Sequence, residues 1–206
     1  MTDLLIATSY FPPLSYMARC LQSDRIVIEA YETYPKQTRR NRCEIAGPNG
    51  RQKLVVPVRK PFGNHTLTKD ICITYDLPWQ NVHLKSITTA YNKSPFLLYY
   101  MDHFHSFFEK KYHFLIDLNG EILMKLLDLF GSVIPVEYSS EYQKTPAGAN
   151  DLRDVLVSKN RPSVHTLQPY TQPFAERYGF LGDLSALDLI FCLGPGAKEY
   201  LNQMIP

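Results

Sequence analysis

Two groups of residues in this chain could do chemistry. The first is basic. Lys36, Arg39, Arg40, Arg42, Arg51, Lys53, Arg59 and Lys60 stand in one window with a single acid, Glu44, so the window carries +7 and the rest of the chain −5. Such asymmetry suits an anion-binding face, because a guanidinium can fork onto phosphate or carboxylate. A solvated hairpin with outward charges would give the same pattern. The second group is acid–base. His83 lies among apolar and aromatic neighbours, Glu29 ends a β-branched run, and Asp188 interrupts Ala186-Leu187-Asp188-Leu189-Ile190. Each could move a proton. Each could equally be a buried group held by hydrogen bonds, since a buried acid must be paired.

Aromatic residues supply the third ingredient. Tyr10-Phe11-Pro12-Pro13 follows an apolar run and opens a helix, with Tyr16 just beyond. A loop of this kind lies where parallel sheets bind ligands, and its helix amides can hold an anion. Tyr10 and Phe11 could stack on a base or sugar there, or plug the end of the sheet. His83 and Tyr91 fall about two turns apart on one helix, roughly on one face. Asp102, His103, His105 and Glu109 share a helix, but their spacing reads better as surface pairing than as a metal site. Gly194-Pro195-Gly196-Ala197-Lys198 reads as a helix end and turn rather than a phosphate loop. The chain holds no G-x-G-x-x-G, no G-x-x-x-x-G-K-[ST], no H-E-x-x-H and no G-x-S-x-G. No metal and no cofactor is expected.

The elements that position these residues begin with a strand over Leu4 to Thr8, a helix over Leu14 to Leu21 and a strand over Arg25 to Glu29. Strand–helix–strand is the unit of a parallel sheet. Arg42 to Ala46 and Gln52 to Val58 flank Gly47-Pro48-Asn49-Gly50, a strong hairpin signal. Ile71 to Tyr75 adds a short strand. Apolar spacing then predicts helices over Trp79 to Asn92, Phe96 to Lys111 and Phe114 to Phe130. Val133 to Tyr138 reads as a weak strand. Glu141 to Gln172 reads as a long irregular connection, a mobile flap or a loop ordered by a partner. Helices over Leu184 to Cys192 and Ala197 to Gln203 close the chain. The expected fold is α/β, with a β-hairpin after the opening unit, a helical middle, and C-terminal helices packed on the sheet. We expect one domain over 1–206, with 1–75 as its α/β part, 79–131 helical, and 132–206 the connection plus C-terminal helices.

Composition agrees. The 206 residues are 45% hydrophobic, 20% charged and 13% aromatic, which is globular rather than disordered. No apolar run is long enough to span a bilayer, and the first residues read as a strand, not a signal peptide. Cys20, Cys43, Cys72 and Cys192 are scattered without a C-x-x-C pair, which points to free buried thiols in a reducing compartment.

Taken in order, these segments resemble the WbqC-like protein family. The resemblance rests on Tyr10 to Tyr16, Ile26 to Glu29, Tyr34-Pro35-Lys36 running into Arg40-Asn41-Arg42-Cys43, Gly47 to Gly50, and Val56-Pro57-Val58. It continues through Trp79 with His83, Ala90-Tyr91 with Ser94-Pro95-Phe96, Tyr170-x-Gln172-x-Phe174, Phe180, and Leu184-Ser185-x-x-Asp188-Leu189-x-Phe191. Two departures stand out. Thr8-Ser9 replace the family's frequent Gln-Pro, and the stretch between the helices and the C-terminal motif is shortened. The resemblance implies a bacterial cytoplasmic protein associated with surface-polysaccharide (O-antigen) loci.

Residues and resemblance together lead to one expectation: a transferase or other biosynthetic enzyme acting on a nucleotide-activated or phosphate-bearing precursor such as a nucleotide sugar. Lys36, Arg40, Asn41 and Arg42 would bind it, with Tyr10, Phe11, Tyr16 and Tyr91. His83, Glu29 or Asp188 would serve as the acid–base group. The alternative is a non-catalytic ligand- or partner-binding protein of the same pathway, holding a protein partner. Nucleic acid is disfavoured by the modest overall charge and the lack of a known module. Oligomeric state is not encoded visibly.

Overall fold

The structure, a computed structural model, describes residues 3–36, 38–146, 148–154 and 167–204. Four parallel strands make the central sheet: β1 (Asp3–Ala7), β2 (Arg25–Glu29), β7 (Val136–Tyr138) and β8 (Ala149–Asp151), in the order β7-β2-β1-β8. Helix α1 (Leu14–Leu21) makes the crossover from β1 to β2. The register sets Ile6 beside Ile28 and Ala7 beside Glu29. The chain steps outward from β1 to β2 to β7, then returns to the far side of β1 as β8. The direction of winding therefore reverses between β1 and β8, where a parallel sheet opens a crevice beyond its carboxyl ends.

Alternation decides what each face does. Leu4, Ile6, Ile26 and Ile28 join the apolar core. Asp3, Leu5, Arg25, Val27 and Glu29 point the other way and line a cleft of about 210 Å³ with the 139–149 segment. The hairpin is β3 (Arg42–Gly47) with β4 (Gly50–Val55), and Gly50 closes its turn at φ 89. Two short strands, β5 (Val58–Arg59) and β6 (Cys72–Ile73), pair antiparallel. Helix α2 (Trp79–Tyr91) packs against β3, and α5 (Leu115–Leu129) carries a nearly continuous buried stripe. The C-terminal helices α7 (Ala186–Leu193) and α8 (Ala197–Gln203) pack against α1, as expected for helices laid on the sheet.

Three elements differ from expectation. The strand expected over Gln52 to Val58 ends at Val55, because Pro57 has no N–H for the ladder, and Val58 opens β5 in a separate pair. Phe96 to Lys111 is not one helix. It divides into α3 (Leu97–Tyr100), α4 (Asp102–His105) and a 3-10 turn, Ser106–Phe108. Aromatic residues and histidine are weak helix formers. Here Phe104, Phe107 and Phe108 all turn onto the ring of Phe11, so packing outweighs propensity. The third difference is β8, inside the stretch read as irregular. Ala149-Asn150-Asp151 has no β-branched residue, and only its pairing to β1 makes it a strand. The central part of that stretch, 155–166, and residue 147 lie outside the described residues, and with them part of the flap reading. A four-residue helix, α6 (Ala175–Tyr178), precedes the C-terminal pair.

Candidate functional site at the carboxyl end of the sheet

Every strand of the central sheet delivers polar residues to its carboxyl end. Glu29 ends β2 and is 1% exposed. Its Oε1 accepts from the Ser139 hydroxyl at 2.7 Å and the Tyr31 amide at 2.8 Å, and its Oε2 accepts from Arg153 Nη1 at 2.9 Å. Arg153 follows β8 and is itself buried. It also grips Asp151 with Nε and Nη2, and Tyr142 lies over its guanidinium at 5.1 Å. The bond to Arg153 holds the Asp151 carboxyl below its ordinary range. Ser139 relays from β7, accepting from the Ala30 amide while donating to Glu29. An acid, a hydroxyl and a guanidinium from three strands thus meet beside the cleft. Ser140, Glu141 and Gln143 line the same cleft.

The second ion pair at this end joins the basic segment to the sheet. Arg40 is fully buried, and Nε and Nη2 fork onto the two oxygens of Glu32, each at 2.8 Å. Burial pushes the Glu32 carboxyl up against the pull of Arg40. The turn Arg39–Asn41 is pinned throughout. Asn119 of α5 donates to the Arg40 carbonyl, Asn41 donates to the Val56 carbonyl, and Tyr10 N–H donates to the Arg39 carbonyl. Arg39 pairs with Asp183 at 2.8 Å. Lys36 is exposed and Arg42 half-buried, and neither pairs with an acid among the described residues.

The remaining sequence-derived site residues are packed into the interior. Tyr10 hydroxyl and His83 Nδ1 are 2.9 Å apart, and His83 also bonds the Val55 carbonyl. The neutral tautomer with Nδ1 accepting and the other nitrogen donating satisfies both, an assignment made from the network. Burial lowers the His83 pKa to about 4. Trp79 packs edge-on to both rings. Phe11 is wholly buried, at φ 37, a left-handed conformation rare for an aromatic residue. The loop around it is clamped by the C-terminal segment: Leu14 N–H donates to the Leu184 carbonyl and Ala186 N–H to the Pro12 carbonyl. Tyr16 donates to the Ala7 carbonyl.

Asp188 is fully buried in α7 and pairs with no cation among the described residues. Tyr91 donates to Oδ1 at 2.7 Å, while Gln172 at 2.6 Å and Tyr170 donate to Oδ2. Burial raises its pKa and these donors pull it back. The Tyr91 hydroxyl also accepts from the Ala46 amide, so the network stitches β3, α2, α7 and the Tyr170–Gln172 segment together. Glu29 lies at the carboxyl end of β2 and Arg40 reaches Glu32 just beyond it, whereas His83 and Asp188 sit in separate packed networks and Lys36 and Arg42 stand outside the lining of the cleft.

Sequence reasoning missed Arg153, Ser139 and Glu32. Arg153 stands in a segment without periodicity, and Ser139 is one of two serines after a weak strand. The usable signal was Glu29 itself: a buried acid requires a partner.

Other features are structural. Gly194 ends α7 at φ 52, and Lys198 donates to the Gly131 carbonyl, so this stretch serves as a helix end. His105 and Glu109 form an exposed pair at 3.3 Å. Among the described residues no group of three or more His, Cys, Asp or Glu could hold a metal ion, and no helix is long and apolar enough to cross a membrane. All four cysteines are buried free thiols.

A parallel sheet with helices on one face, and with polar groups gathered beyond its strand ends, defines an α/β protein of the crevice-bearing kind. The family model of the WbqC-like protein family matches residues 8–161. The chain belongs to that family. No curated protein and no solved structure matches it.

Proposed function

We propose that this protein is a cytoplasmic transferase of bacterial surface-polysaccharide biosynthesis, acting on a phosphate-bearing, hydroxyl-rich precursor bound at the carboxyl end of the sheet. One observation carries the reading: of the three candidate acid–base residues, Glu29 lines the cleft. Among the described residues its Oε2 receives only Arg153, which leaves acceptor capacity for a substrate hydroxyl. Glu29 would take the hydroxyl proton, with Ser139 and Arg153 fixing its carboxylate. Ser140, Glu141 and Gln143 offer the neutral and acidic partners that sugar hydroxyls require. Lys36 and Arg42 would take the phosphate, while Arg40 and Asn41 hold the turn from which Arg42 leaves. In this reading Tyr10, Phe11, Tyr16 and Tyr91 shape the floor from within, and His83 and Asp188 position it. The alternative, a non-catalytic binding protein, draws on the hydrogen-bond saturation of His83 and Asp188.

The test is a thermal-shift screen of nucleotide sugars, nucleoside triphosphates, acyl-coenzyme A thioesters and inorganic phosphates. A true ligand at a hundredfold over its Kd should stabilise by about 2.7 kcal/mol. Gln143→Ala, an exposed change in the cleft, should weaken that effect. Glu29→Gln and Ser139→Ala should abolish turnover of the ligand found while retaining its binding. Binding without turnover by the wild type would favour the alternative, and no stabilisation by any class would overturn the proposal.

A further inference from the structure

Of the eight bases in the basic window, Arg39, Arg40, Arg51 and Lys53 pair with acids. Lys36, Arg42, Arg59 and Lys60 have no acidic partner among the described residues. Three of these four gather around Tyr34. Lys60 Nζ donates to the Tyr34 carbonyl at 2.8 Å and lies 5.1 Å from the centre of its ring. Partial burial, and after it the neighbouring charge of Lys36, lowers the Lys60 pKa. The charge of Arg42 reaches the Tyr34 phenol, which burial pushes up.

Two polar groups in this cluster are left over. Tyr34 is 4% exposed, yet its hydroxyl has no hydrogen-bond partner among the described residues. Arg42 Nε is buried and also unpartnered. Buried donors without partners are rare in folded proteins, because each loses its hydration and gains nothing. Both are donors, and of the charges that reach Tyr34 the one acid, Glu32, is already taken by Arg40, which leaves Arg42 and the two lysines unbalanced. The arrangement asks for an acceptor that carries more than one negative charge. Arg40 cannot be that site's ligand-binding arginine, since Glu32 already occupies its fork. Its part is to fix the turn from which Arg42 leaves.

We propose that Tyr34, Arg42, Lys36 and Lys60 form the seat of a phosphoryl group, with the Tyr34 hydroxyl and Arg42 Nε–H donating to its oxygens and the two lysines balancing its charge. This deepens the proposed function, whose substrate bears phosphate, and rests on that reading for the ligand's identity. A phosphoryl dianion matches three cations and two N–H or O–H donors better than a single carboxylate does. Tyr34 and Lys60 are new members of the site. Lys60 already stood in the basic window of the sequence, whereas the hydroxyl of Tyr34 carries no charge signature.

The probe is inorganic pyrophosphate, followed by titration calorimetry and by the side-chain Nε–H resonance of Arg42. Binding should shift that resonance and weaken steeply with salt. Arg42→Gln and Lys60→Gln should each weaken binding at least about tenfold. Tyr34→Phe should weaken it several-fold while leaving the protein as stable as before, since the lost hydroxyl has no partner in the folded chain. His105→Ala, an exposed change on α4, should leave pyrophosphate binding unchanged. Unaltered affinity in folded Arg42→Gln and Tyr34→Phe, or no binding by the wild type, would overturn the seat. The two proposals fail separately. A nucleotide sugar that depends on Gln143 but not on Arg42 would refute the seat alone. Pyrophosphate that depends on Arg42, with no sugar nucleotide bound or turned over, would uphold the seat and refute the transferase reading.

Discussion

At the scale of single residues, burial has assigned several chemically capable groups to structural work. His83 shows how this becomes measurable. Its folded pKa, about 4, lies below the value of 6.5 for an unperturbed histidine, because burial disfavours the cation. A base with a lowered folded pKa binds fewer protons folded than unfolded in this interval. The folded state is therefore fully favoured above pH 6.5 and loses stability as pH falls toward 4. Between about pH 7 and about pH 5 the loss should be on the order of 2 kcal/mol. Urea midpoints at the two pH values should show it in the wild type, and His83→Gln should remove most of it. An equal pH dependence in both proteins would mean that the imidazole is free to protonate in place. Asp188 makes a related point by opposite means: three neutral donors around a buried carboxylate replace the cation that sequence reasoning would have sought among the arginines.

At the scale of elements, legibility followed the strength of the local signal. Helix α1 and strand β2 were readable to the residue, because a Pro-initiated helix and a β-branched run are local facts. The hairpin was readable from its Pro48-Asn49-Gly50 turn. Strand β8 was not, since Ala149, Asn150 and Asp151, none of them a strand former, become a strand only when β1 offers an edge. The site followed the same rule. Glu29 was legible from its place at a strand end, but its partners Ser139 and Arg153 lie about 110 and 124 residues away, and only the sheet order unites them. Glycines at helix ends sit between these cases. Gly194 was expected to cap α7, and it does so at φ 52, where an added Cβ would meet the Phe96 ring at 2.6 Å. Gly196, two residues on, has open space around it and an ordinary φ of −74. Gly194→Ala should therefore cost at least about 2 kcal/mol, from backbone strain and overpacking together. Gly196→Ala should be nearly neutral. Thermal unfolding of the pair separates the two, and equal midpoints would show that the α7–α8 junction tolerates a Cβ anywhere.

At the scale of the whole molecule, the sheet draws together segments remote in the chain, and the Glu29–Arg153 pair is the tie. β8 reaches the sheet only through β1, and its exit residue then crosses the end of β1 to bond the end of β2. The pair is buried on both sides, with side chains 7% and 1% exposed. Removing one partner from such a pair leaves a buried charge uncompensated and typically costs about 3–5 kcal/mol. Arg153→Met should lie in that range, reduced by whatever the Ser139 and Tyr31 donors still supply to Glu29. Glu29→Gln should cost less, because Arg153 keeps Asp151. The double variant should be more stable than the sum of the two losses predicts, with a coupling of about 0.5–3 kcal/mol. That cycle also bears on function. A strong coupling alongside retained ligand binding in the double variant would make the pair an architectural clasp that closes the sheet end. A weak coupling with binding lost in both single variants would make the same two residues part of the ligand's own surface, held in readiness beside the cleft rather than for each other.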